Sequence, residues 1–129
     1  VAVRIILDTN RYVDFCRGEP DVQAIIRQAD SIFLPFVVLA ELRAGFRCGT
    51  VGRRNEATLV RLLASPRVSA LYPDEQTTHV YAGLFAQLRT QGTPIPTNDL
   101  WIAALVVQHD LMLCSRDAHF DHLPQLARY

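Results

Sequence analysis

The sequence predicts an α/β fold in three layers, a mostly parallel sheet of four to five short strands flanked by helices. Three observations predict it. Short apolar runs bounded by turn residues alternate with segments of helical periodicity. Those apolar runs lack the in-out alternation of a half-exposed sheet, as expected of strands covered on both faces. With 129 residues, half of them hydrophobic, the chain has the size and composition of one folded domain, 1–129.

The elements follow in order. Residues 3–7 read as a buried strand. A helix is expected from about Asn10 to Gly18, and a second from Glu19-Pro20 through Val22, Ile25 and Ile26 to about Ala29. Ser31-Ile32-Phe33-Leu34 forms the next strand, stopped by Pro35. A helix from Val37 carries Leu39, Leu42 and Phe46 and ends near Gly49; another covers roughly 52–64, with Leu59, Leu62 and Leu63 on one side. Val68-Ser69-Ala70-Leu71 is a third strand. Asp74 is a fitting N-cap for a helix that runs through Val80, Leu84 and Leu88 to about Gln91. After the stiff loop Gly92-Thr93-Pro94-Ile95-Pro96, a helix spans Asn98 to Gln108, capped by Thr97 or Asn98. Residues 111–114 form the fourth strand and 117–122 a helical turn, with a weak fifth edge strand near the C-terminus.

Four acids share one local setting. Asp8 closes the run Val-Arg-Ile-Ile-Leu, and Glu41 follows Phe36-Val37-Val38-Leu39-Ala40. Asp99 opens the apolar helix Leu100-Trp101-Ile102-Ala103-Ala104-Leu105, and Asp117 follows Leu111-Met112-Leu113-Cys114. Each has an ordinary explanation alone: helix caps at Asp8 and Asp117, or an Arg116 ion pair for Asp117; dipole stabilisation at Asp99; an arginine pair such as Arg43 for Glu41. Together they are costly at the ends of buried elements unless paired or metal-bound. A parallel sheet places strand carboxyl ends along one edge, where ligands bind. The chain has no lysine to neutralise them, so they read as a hard-cation site.

Charge adds a second feature. The net charge is zero, and all thirteen basic residues are arginine. Arg43, Arg47, Arg53, Arg54, Arg61 and Arg67 face a single acid, Glu56, over 42–67, a local charge of about +5. Such a stretch is either a solvated helix face or a phosphate-binding one. Cys16, Cys48 and Cys114 form neither a disulfide framework nor a zinc pattern and are expected to be buried, reduced thiols. The opening Val-Ala-Val-Arg-Ile-Ile-Leu-Asp reads as a strand rather than a signal peptide, no apolar run spans a bilayer, and a cytoplasmic location is expected.

The segments Leu7-Asp8-Thr9-Asn10, Leu39-Ala40-Glu41-Leu42-Arg43-Ala44-Gly45, Pro96-Thr97-Asn98-Asp99-Leu100-Trp101-Ile102-Ala103-Ala104 and Ser115-Arg116-Asp117-Ala118-His119-Phe120 occur in this order. Their order and spacing resemble PIN-domain ribonucleases of the VapC type, toxins of type II toxin–antitoxin systems. Any one motif is weak, and four in order are strong. The resemblance implies a catalytic quartet of Asp8, Glu41, Asp99 and Asp117, with Thr9, Asn10 and Ser115 as supporting polar residues. It departs mildly where Ser115-Arg116 stands in place of the family's frequent threonine. It implies an endoribonuclease leaving 5′-phosphate and 3′-hydroxyl ends, a VapB-like cognate antitoxin that places a side chain at the acidic pocket, and a homodimer.

The residue types then indicate the chemistry. Carboxylates suit Mg²⁺ or Mn²⁺, and no Cys/His set for zinc is present. Asp8, Asp99 and Asp117 are the expected direct ligands, while Glu41 either binds through water or orients the attacking water. At least one carboxyl pKa should be raised without metal. Arg43, Arg47, Arg53 and Arg54 are the candidates to hold the RNA backbone. Asp121 is a further acid nearby. His119 and His122, three apart with no partner pair, read as structural or surface residues, as do His79 and His109; Trp101 reads as core or dimer contact. A response-regulator receiver and a P-loop enzyme both need a lysine that is absent, and a haloacid-dehalogenase-like phosphatase needs an acid where Asn10 stands. The remaining alternative is a non-catalytic PIN-fold module that binds RNA or protein.

Overall fold

A computed structural model describes residues 1–129. Four strands, β1 (Arg4–Leu7), β2 (Ser31–Pro35), β3 (Val68–Leu71) and β4 (Met112–Cys114), form one sheet in the order β3-β2-β1-β4. All pairings are parallel, with Ile6 opposite Phe33 on one side and Leu113 on the other. The sheet is flanked by six helices: α1 (Thr9–Cys16), α2 (Pro20–Gln28), α3 (Phe36–Cys48), α4 (Gly52–Leu63), α5 (Glu75–Gln91) and α6 (Thr97–His109). A 3₁₀ turn (Ala118–His122) follows β4.

The central strands carry the core. Ile5, Ile6 and Leu7 of β1 and Leu34 of β2 are fully buried. Helix α6 is buried nearly all round, through Leu100 and every residue from Ile102 to Val106, as its lack of a polar face requires. It packs against α5, and a polar latch aligns the two. Asp74 and Thr77 form a capping box at the start of α5, and buried Thr77 also donates to Gln108 Oε1 at 2.5 Å.

Several expectations shift. The fifth strand is reduced to a single parallel bridge between Leu113 and Arg128, in which Leu113 N–H donates to the Ala127 carbonyl at 2.8 Å and Tyr129 N–H to the Leu113 carbonyl at 3.0 Å. Neither Thr97 nor Asn98 caps α6; Pro96 occupies the cap position and its carbonyl accepts from Leu100 N–H. No side chain caps the first N–H groups of α6, and Asp99 lies in that first turn. Cys114 is buried, but Cys16 and Cys48 are exposed, each being the last residue of its helix. Arg67 is structural: it donates to the carbonyls of Ile26 (3.0 Å) and Ala29 (2.6 Å) at the end of α2.

Two glycines are demanded by geometry. Gly92 ends α5 at φ +72°, the left-handed cap position. At Gly52, a Cβ would lie 2.3 Å from the Phe46 carbonyl oxygen, so only glycine lets α4 start so close to α3.

Candidate active site

Parallel pairing brings the ends of β1 and β4 together, with Leu7 opposite Cys114. Asp8 and Ser115 are the next residues on each strand, so they meet although 107 positions separate them. Ser115 Oγ donates to Asp8 Oδ2 at 2.5 Å. The other carboxylate oxygen, Oδ1, accepts the Arg11 N–H at 2.9 Å and caps α1. Asp8 is thus a helix cap as well as a candidate ligand. It is only 7 % exposed. Burial pushes its carboxyl above the ordinary range, the Ser115 and Arg11 hydrogen bonds oppose this, and the neighbouring Asp117 charge adds to it.

The loop after β4 is held from both sides. Asp117 N–H donates to Ser115 Oγ at 3.0 Å. The same hydroxyl therefore donates to one acid and accepts from the backbone of another. Arg128 donates to the carbonyls of Ser115 and Asp117, both at 3.1 Å. It also pairs with Asp121, so that acid is spent holding the C-terminal segment.

Asp99 comes from the first turn of α6 and Asp117 from the cap of the 3₁₀ turn. His119 lies between them. Its Nδ1 is 2.9 Å from Asp99 Oδ2 and 3.0 Å from Asp117 Oδ1. The Asp99 carboxyl is raised by burial, lowered by its bond to His119, and raised again by the charges of Asp117 and Glu41. His119 is raised in turn, first by its bond to Asp99. The crowding expected from sequence does raise carboxyl pKa values, at Asp8 and Asp99, with burial the larger cause. Glu41 stands exposed on α3 and accepts from Thr9 Oγ1 at 2.9 Å. It makes no pair with Arg43, which is bound instead to Glu56 through Nε and Nη2.

Asp8, Asn10, Arg116 and Asp117 line a recess of about 260 Å³ with no apolar wall. One ligand atom each from Asp99, Asp117 and His119 lie within 4.8 Å of one another. The two His119–carboxylate separations are hydrogen-bond lengths, and two carboxylates with one imidazole nitrogen make a mixed oxygen and nitrogen donor set. The donor set thus fits a divalent cation that takes oxygen ligands and tolerates an imidazole nitrogen.

The remaining sequence candidates lie elsewhere. Arg43, Arg47, Arg53 and Arg54 line an open concavity of about 1260 Å³ between α3 and α4, with Phe46, Val51 and Val60 and none of the four acids. Trp101 is half-buried, 4.3 Å from the Tyr81 ring centre and 5.9 Å from that of Phe36. Two features were not read from sequence. His119, expected as a structural or surface residue, is exposed yet bridges two of the acids, and its nearness to Asp117 and its spacing from His122 are the sequence signals for it. Arg116 was considered as a partner for Asp117, but its guanidinium binds Asp14 at 2.5 Å. Asp14 is a buried acid of α1 that also binds Arg11 at 3.1 Å.

Comparison with known proteins places this geometry. The family profile "PIN domain" matches residues 5–126. The chain is 33 % identical over 122 residues to the VapC ribonuclease Y4jK of Sinorhizobium fredii, covering 88 % of this chain and 86 % of that protein. It is 30 % identical over 118 residues to the ribonuclease VapC1 of Haemophilus influenzae, covering 87 % and 85 %. Among solved structures, VapBC-1 from nontypeable Haemophilus influenzae superimposes with a TM-score of 0.86 at 26 % identity, covering 98 % of this chain and 97 % of the other. FitAcB from Neisseria gonorrhoeae gives 0.76 at 28 % identity, covering 97 % and 96 %. With nearly its whole length matched in sequence and in fold, the chain belongs to the PIN-domain family, among the VapC-type toxins of toxin–antitoxin systems.

Proposed function

We propose that this chain is a metal-dependent endoribonuclease toxin that hydrolyses RNA phosphodiester bonds to leave 5′-phosphate and 3′-hydroxyl ends. The observation that carries the reading is the place of Asp117 at the carboxyl edge of the sheet, where it lines a polar recess with Asp8 and also groups with Asp99 and His119. Two of these carboxyls are raised by burial, a cost that a cation would offset.

Asp8, Asp99 and Asp117 would hold Mg²⁺ or Mn²⁺, with His119 beside the last two. When bound, the cation would lower the pKa of a water and offset charge on the scissile phosphate. Ser115 fixes the Asp8 carboxylate through Oδ2, and the α1 backbone fixes it through Oδ1, so the ligand is oriented before any cation arrives. Glu41, steadied by Thr9, is the carboxylate left to orient the attacking water. Asn10, exposed on the recess wall, offers an amide to substrate oxygens. Arg47, Arg53 and Arg54 would hold the RNA backbone farther from the cut, with Arg43 less available because of Glu56.

Relatives solved as VapBC and FitAB complexes support a VapB-like antitoxin as partner, and a homodimer is the expected assembly. No helix is long and apolar enough to cross a membrane.

The test is cleavage of total and synthetic RNA by antitoxin-free protein with Mg²⁺, with Mn²⁺ and with chelator, beside Asp8→Asn. Metal-dependent cutting that disappears in the variant supports the reading. Equal cutting by both proteins, or none by wild type with either metal, sinks it.

A further inference from the structure

We infer that Arg116 is an RNA-phosphate-binding residue of the acidic recess, and that buried Asp14 positions it; this rests on the nuclease reading above. The recess walls are Asp8, Asn10, Arg116 and Asp117, so Arg116 supplies the one cation among them. An RNA backbone brought to this recess meets carboxylates first. Charge supplied by a metal offsets part of that repulsion at the scissile group, and a guanidinium on the wall offsets it at the adjoining phosphate.

The other arginines near the acids are already committed. Arg11 is 7 % exposed and bound to Asp14 and Asp21. Arg128 is bound to Asp121 and to the carbonyls of Ser115 and Asp117. Arg116 differs. Its side chain is 64 % exposed, and one nitrogen, Nη2, is bound to Asp14 at 2.5 Å. A guanidinium has five N–H donors, so most of its fork remains open to a second anion.

Asp14 has the properties of a positioning residue. Its side chain is 11 % exposed, and two guanidinium groups converge on a single oxygen, Oδ2. Arg11 pins it from within the core, and Arg116 reaches it from the loop that carries Asp117. The tether spans 102 positions and joins α1 to the β4 loop. Here the acid is buried and the cation is presented to the recess, which restricts the guanidinium without consuming it.

The experiment measures binding apart from cutting. A fluorescein-labelled single-stranded RNA of mixed sequence is titrated by fluorescence anisotropy against Asp99→Asn protein, across a salt series. In that background Arg116→Ala should weaken binding roughly tenfold near 100 mM salt and reduce the slope of log K against log salt by about 0.7. Arg116→Lys should keep the slope and lose only part of the affinity, because charge remains but the fork is lost. Asp14→Asn should likewise keep the slope while weakening binding, and it should add little once Arg116 is already alanine, a non-additivity that loss of packing alone does not produce. An Arg116→Ala protein with unchanged affinity and slope, folded by circular dichroism, would overturn the inference. Cutting by wild type that Arg116→Ala leaves unaltered would do the same while sparing the nuclease reading. Arg116-dependent binding with no cutting by wild type would instead leave this contact standing and remove the nuclease.

Discussion

Ser115 Oγ donates to Asp8 Oδ2 and accepts from Asp117 N–H, so one hydroxyl sets two acids from strands joined only by tertiary pairing. Ser115→Ala should lower metal affinity and RNA cleavage by about 10- to 100-fold, the usual cost of removing a residue that orients a ligand. Ser115→Thr should retain most of both. Isothermal titration with Mn²⁺ and initial cleavage rates read the effect. An alanine variant with wild-type values would show that β1–β4 pairing alone orients Asp8.

The proton-binding groups of the site make stability depend on pH in a definite direction. Asp8 and Asp99 have pKa values raised above the ordinary 3.8, and His119 is raised above 6.5. The folded chain therefore holds these protons more tightly than the unfolded one. Their stabilising contribution is complete below the unfolded values and is lost as pH rises through the folded ones. The Tm of metal-free protein should fall as pH rises from the ordinary carboxylate range through the raised value of His119, and Asp99→Asn should flatten the fall. Asp21 and Asp74, lowered by bonds to Arg11 and Gln108 respectively, act in the opposite sense, losing their contribution only as pH drops through their depressed values. Excess Mn²⁺ should reverse the trend, because it competes with protons for the same carboxylates. A metal-free Tm that rises over this range would contradict it.

Much of the fold was legible because its punctuation is local. Pro35, Pro66, Gly49 and Gly92 mark element ends, and the apolar runs between them have strand or helix length. The four acids were visible as candidates for the same reason, each standing at a border of an apolar run. His119 was not, because its meaning depends on Asp99, twenty residues away and delivered by α6. Arg116 and Asp14 are farther apart still. Arg67 sat in an arginine-rich stretch, yet its role is set by the end of α2 across the sheet. Charge counting reads a segment's sum and cannot apportion its members. The exposed Cys16 and Cys48 were misread by a related route: apolar neighbours in sequence do not share a face on a helix.

The arginine concavity separates into committed and free residues, and RNA binding should follow that division. Arg47→Ala, Arg53→Ala and Arg54→Ala should each lower the salt slope of single-stranded RNA binding by about 0.7. Arg43→Ala should change it less, because Glu56 already neutralises that guanidinium. Equal slopes in all four variants and wild type would remove RNA from this face and leave it to a protein partner.

The concavity itself depends on Gly52. The turn between α3 and α4 brings its Cα so close to the Phe46 carbonyl that an added methyl would sit 2.3 Å from the oxygen, and backbone cannot swing aside as a side chain can. Gly52→Ala should cost about 1–3 kcal/mol by overpacking, even though alanine is the better helix former. Leu59 is the single fully buried residue of α4, with half-buried Leu62 and Leu63 and the Arg43–Glu56 pair holding the rest, so opening the turn should loosen this helix first. Denaturant unfolding measures the loss, and amide exchange along 52–63 locates it. The arginines on α4 should then bind RNA more weakly with the same salt slope, since their charge is intact and only their placement has changed. A Gly52→Ala protein as stable as wild type, with unchanged exchange, would mean that α3 and α4 can separate at their junction without strain.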